Sequence, residues 1–127
     1  ASLKKISFAA RTVEEGGCEK TGINLPSKYA ITHFPDDGRF KLVNNDDVIL
    51  KSSHAPTDIH ISAPTSRDSS NFLNAEEDPM SINHNFDKKV KGDICVCKLA
   101  EPQDGAQAGD IIIITPESRL GITECIL

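Results

Sequence analysis

The chain has no tryptophan, one tyrosine and one methionine, and aromatic residues make up only 5% of it. Carbohydrate platforms and single-stranded nucleic-acid grooves stack their ligands on exposed aromatic faces, so both classes lose ground. Cations are also in short supply: 14 Lys and Arg stand against 19 Asp and Glu, a net charge of −5. A nucleic-acid surface needs clustered Lys and Arg to displace counterions from phosphates. The one basic cluster, Lys88-Lys89-Val90-Lys91, is bracketed by Asp87 and Asp93 and reads as a solvated face. No apolar run approaches the roughly 20 residues that cross a bilayer as a helix. There is no Asn-x-Ser/Thr acceptor for glycosylation, no Gly-x-Ser-x-Gly elbow, and no glycine loop followed by Lys-Ser/Thr. These absences leave another protein as the expected partner, with neither nucleic acid nor membrane, and they lean away from an enzyme. They leave the oligomeric state open.

What is present is a set of short β-type segments. Of the 127 residues, 38% are hydrophobic and 26% charged, which suits one globular domain spanning residues 1–127 around one core. Two runs dominate: Ile94-Cys95-Val96-Cys97 and Ile111-Ile112-Ile113-Ile114. They are rich in β-branched residues and too short for helices. Neither alternates apolar with polar, so both faces should be buried, as in central strands of a sheet. The loop between them makes this the core hairpin. Each run follows a Gly-Asp start, at Gly92-Asp93 and Gly109-Asp110, an echo that turn chemistry alone can produce.

Along the chain, Lys5 to Arg11 reads as a first strand with Ile6 and Phe8 on one face. Thr12 to Glu15 has the spacing of a capping box, ended by Gly16-Gly17. Cys18 to Pro26 reads as loop. Tyr29 to Phe34, Arg39 to Val43 and Val48 to Lys51 form a meander joined by the turns Pro35-Asp36-Asp37-Gly38 and Asn44-Asn45-Asp46-Asp47. Alternation there turns Phe40 and Leu42 inward. Thr57 to Ser62 is another short strand, with Ile59 and Ile61 inward. Residues 63–91 form a long polar stretch with room for one short helix near Ser70 to Glu77, and Gly121 to Leu127 can close as a last strand. The expected fold is all-β: a single small antiparallel β-sandwich or barrel of about eight short strands.

Four cysteines, Cys18, Cys95, Cys97 and Cys125, permit two disulfides, with three pairings open. Cys95 and Cys97 share a strand face, so each should bond a neighbouring strand, for example at Cys125, rather than each other. Reduced core cysteines fit the composition equally well. Cys18 is the best placed for a reactive thiol, beside Gly16-Gly17 and Lys20. Ala1 at the start suits a cytoplasmic chain trimmed of Met and a secreted chain cut after a signal peptide alike.

Candidate chemistry is sparse. His54, Asp58 and His60 put two imidazoles and a carboxylate within seven residues. Asp58 and His60 would lie on one strand face and could hold Zn²⁺ or Fe²⁺. The Asp36-Asp37 and Asn45-Asp46-Asp47 turns offer oxygens to Ca²⁺, without the twelve-residue pattern of an EF-hand. The leading reading is an interaction module (an inhibitor, effector, adhesin-type or accessory structural protein) that recognises its partner through surface loops, with Arg67, Phe72, Met80 and Phe86 as anchors. Two rivals stand beside it: a small metal-dependent enzyme or metal-binding protein built on His54, Asp58 and His60, and a barrel holding a small apolar ligand.

Overall fold

A computed structural model describes residues 2–63, 80–83, 86, 89–102 and 106–115. The helix near Ser70 to Glu77 and the last strand at Gly121 to Leu127 lie outside these residues. In chain order the elements are α1 (Ser2–Thr12), β1 (Cys18–Leu25), β2 (Tyr29–Phe34), β3 (Arg39–Asn44), β4 (Ile49–His54), β5 (Ile61–Ser62), β6 (Ser81–Ile82), β7 (Val90–Lys98) and β8 (Ile111–Ile114). They form two four-stranded sheets, ordered β1-β7-β8-β5 and β4-β3-β2-β6. All pairs are antiparallel but one, β5 with β8. The described residues are mostly strand with one short helix, and the two sheets do not close into a barrel.

β7 and β8 pair as the expected hairpin and occupy the interior of their sheet. Their unbroken apolar sequences bury both faces. Ile94, Val96, Ile111 and Ile113 join a cluster that draws on both sheets and the helix. Cys95, Cys97, Ile112 and Ile114 form a second cluster with Leu99 and Ala106 on the opposite face. The Gly-Asp echo does not mark equivalent places: Gly92 lies within β7, whereas Gly109, at φ +90°, sits in the turn before β8. There Asp110 accepts a hydrogen bond from the Gln107 N–H at 2.8 Å.

The meander forms as its turns dictate. Gly38 takes φ +62° and its N–H reaches the Pro35 carbonyl at 3.2 Å, so glycine here supplies the left-handed residue that closes the turn. In the next turn the Asn44 side-chain oxygen accepts from the N–H groups of Asp46 and Val48 at 2.9 and 3.0 Å. Phe40 is fully buried, and Leu42 packs against the same cluster.

The N-terminal segment corrects the sequence reading. Residues 2–12 are helical, not a strand, because Leu3, Ile6, Ala9, Ala10 and Val13 follow a helical period and all are buried. Ile6 is fully buried, while Phe8, assigned to the same face by a strand reading, is 61% exposed. Thr12 closes this helix instead of opening one, its hydroxyl donating to the Phe8 carbonyl at 2.9 Å. Cys18 to Leu25 is a strand rather than a loop, held along its whole length against β7.

Cys18 and Cys97 face each other across that pairing and are joined in a disulfide, their Cα atoms 4.0 Å apart. Cys97 thus bonds a neighbouring strand, as its position requires, but the partner is Cys18, which rules out a reactive thiol there. Cys95 is also disulfide-bonded. No described cysteine is free.

Candidate interaction surface

The residues singled out for metal binding do not converge. His54 ends β4, exposed, with its Nδ1 accepting from Arg39 Nη1 at 3.4 Å. Asp58 is exposed at φ +60°, which breaks the strand expected over Thr57 to Ser62 and leaves only Ile61–Ser62 extended. His60 is half-buried and lies on the side of His33. Among the described residues no three His, Cys, Asp or Glu side chains gather as a metal site. Of the acidic turns, Asp37 pairs with Lys41, which also sits 4.3 Å from the centre of the Phe34 ring.

The loop anchors fare differently. Arg67 and Phe72 lie outside the described residues. Met80 is 2% exposed and belongs to the central cluster, so it is a core side chain and offers no anchor to a partner. Its carbonyl accepts from the His33 N–H at 2.9 Å. Phe86 is half-buried at φ +60°, and its backbone ties to Asn83 and Lys28.

The exposed apolar surface lies elsewhere. Four large hydrophobic side chains are exposed among the described residues: Phe8 (61%), Val48 (50%), Ile49 (52%) and Leu50 (45%). They fall on two elements that touch, α1 and the segment entering β4. Among the described residues β4 is the outermost strand of its sheet, paired on one side to β3. A β-bulge between Leu42 and Val43 breaks the register beside Ile49, so the alternation that would hide half of an apolar run fails here. The helix touches β4, where the Ser7 hydroxyl donates to the His54 carbonyl.

A groove of about 400 Å³ is lined by Leu3 of α1, the end of β1 and the meander. Leu3, Leu25, Pro26, Tyr29, Ile31 and Leu42 give it apolar walls. Lys51 is the one charged side chain in its lining. The charges of the segment are ordered: Asp46 and Asp47 precede the apolar triplet and Lys51 follows it. Arg39, bonded to Ser52 Oγ at 2.9 Å, adds a second cation at the far end.

Sequence reasoning found β4 as a strand but not as an edge. The available signal was the triplet Val48-Ile49-Leu50, which does not alternate yet leads into the polar run Lys51-Ser52-Ser53-His54. No helix among the described residues is long and apolar enough to cross a membrane. Comparison with protein-family models, with curated proteins and with solved structures finds no match for this chain.

Proposed function

We propose that the chain is a protein–protein interaction module on a sandwich-type scaffold. Residues 1–127 act as one domain, and the α1–β4 side is the recognition surface. The observation that carries this is the exposed apolar run Val48-Ile49-Leu50 at the entry to β4, with Phe8 exposed on the helix that touches the same strand. An exposed run of large apolar side chains marks a contact surface, and an outer strand can accept a partner's strand. The Cys18–Cys97 bond and the bonded Cys95 favour an oxidising, extracellular-type setting, since such links persist poorly in a reducing cytosol.

Photo-crosslinking tests this reading. A photoreactive residue is placed at Phe8 or Ile49, with Glu14 and Glu101 as exposed controls, and each variant is exposed to extracellular material from its source. Adducts should concentrate at Phe8 and Ile49. Equal yields at all four positions, or none, would sink the assignment.

A second reading, binding of a small apolar ligand, has the groove in its favour. Its volume of about 400 Å³ lies in the range of ligand sites, and its walls are apolar with one cation at the rim.

A further inference from the structure

We infer that the outward face of α1 docks an acidic segment of another protein, one that sets an apolar side chain between carboxylates. The inference rests on the α1–β4 surface being the recognition surface, and it names the chemistry of the partner.

The helix has two faces. Leu3, Ile6, Ala9, Ala10 and Val13 are buried in the central cluster, whereas Lys4, Lys5, Phe8 and Arg11 are exposed. Lys4 and Lys5 precede Phe8 by four and three residues, and Arg11 follows it by three, so each cation neighbours the same ring on the helix surface. α1 contains no Asp or Glu, although the whole chain carries a net charge of −5. Lys51, beside Leu3 in the groove lining, extends the positive charge towards β4.

This stripe works against the helix that bears it. Both lysines fall in the first turn, at the positive end of the helix dipole, where acidic side chains stabilise and cations do not. The ion pairs among the described residues are Lys20–Asp93 and Lys41–Asp37, so none of them neutralises Lys4, Lys5 or Arg11. Residues that weaken their own element and leave charge uncompensated are expected where function sets the choice. Negative charge on a partner relieves both.

Phe8 decides which kind of anion. A sulfated polysaccharide would meet the cations and leave the ring in water. An anionic membrane takes up an amphipathic helix by its apolar face, and here that face already lies in the core. A protein segment supplies carboxylates and an apolar side chain together. Acidic surface begins where the helix ends: Glu14 and Glu15 are exposed, and Glu19 accepts from the Thr12 hydroxyl at 3.0 Å. The partner's carboxylates therefore belong at the Lys4–Lys5 end, with its apolar residue on Phe8.

Selection of phage-displayed random short peptides on the full chain, with its disulfides intact and at low ionic strength, tests this. Enriched peptides should carry Asp or Glu on both sides of an apolar residue. Synthesised and titrated by fluorescence anisotropy, they should bind about tenfold or more weakly to Phe8→Ala and to the double variant Lys4→Glu, Lys5→Glu. The double variant Lys4→Arg, Lys5→Arg should bind as the wild type does, and so should Lys91→Glu, an exposed change on β7. All these positions are exposed, and circular dichroism verifies that each variant keeps its fold.

No enrichment, enriched peptides without acidic residues, or binding indifferent to the Lys4 and Lys5 reversal overturns the inference. So does tighter binding of heparin or of phosphatidylserine vesicles than of the selected peptides, which would make the anion a polysaccharide or a lipid surface. A dimer in sedimentation equilibrium that the same reversal dissociates would put a second copy in the partner's place. If any of these results appears while crosslinks from Phe8 and Ile49 to another protein persist, the partner's chemistry is wrong and the recognition surface stands. If the crosslinks fail as well, the surface assignment falls with it.

Discussion

His33 is 3% exposed on β2, its ring tilted against Phe40 with centroids 5.4 Å apart, and its buried Nε2 has no hydrogen-bond partner among the described residues. Burial lowers its pKa below the usual 6.5, and the nearby His60 imidazole lowers it further. In the unfolded chain the imidazole keeps its ordinary value, so on acidification the unfolded state takes up a proton first. Stability contributed by the neutral ring is complete above about pH 7. It declines as the pH falls through 6.5 towards the lowered folded value, and below that it changes no further. The melting temperature should therefore drop across that window, and His33→Leu should flatten the drop. Leucine also removes the orphaned nitrogen, so at pH 8 the variant should be no less stable than the wild type by more than about 1 kcal/mol. Parallel pH profiles for the two proteins would clear this imidazole of the effect.

Among the elements, those with local signals were legible. Turns with Pro, Asp, Asn and Gly at defined places gave the meander, and the two unalternating apolar runs gave β7 and β8 with both faces buried. What was missed needed partners remote in sequence. A seven-residue window, Lys5 to Arg11, reads equally as strand or helix, and the helical period shows only when Leu3 and Val13 are included. β1 has an ordinary polar sequence and is a strand because β7 lies beside it. β5 runs parallel to β8, a pairing no hairpin signal announces. Likewise β4 was recognised, but being outermost is a property of the sheet order. The groove is the product of three such elements: α1 supplies Leu3, the end of β1 supplies Leu25, and the meander supplies Ile31, Leu42 and Lys51. If it is a ligand site, decanoate should bind once per chain in calorimetric titration, its tail on the apolar walls and its carboxylate at Lys51. Lys51→Glu should weaken binding several-fold and Leu42→Trp should block it. An absence of saturable heat would dismiss the small-ligand reading and leave the protein interaction untouched.

For the molecule as a whole, the question is what holds two sheets that share few direct strand connections. β1 and β4 each lie at an outer position of their sheets, and α1 packs on both, with Leu3 and Ile6 in the central cluster. The helix is thus the tie across one open side, and it depends on β1 staying in place. Among the described residues β1 has one strand neighbour, β7, and the Cys18–Cys97 bond fastens that pair at one end, 79 residues apart in sequence. In the chain-entropy account, a cross-link closing a loop of this length contributes about 4–5 kcal/mol by restricting the unfolded chain. Replacing both residues by alanine should lower the unfolding free energy by about that amount, read from urea midpoints, with Cys97 the more costly site because it is fully buried. The loss should also be uneven. In hydrogen exchange, α1 and β1 should lose protection first, while the β2–β4 meander, which does not use the bond, keeps its own. Uniform loss across both sheets would mean instead that the two sheets open as one cooperative unit, with the helix following their association rather than securing it.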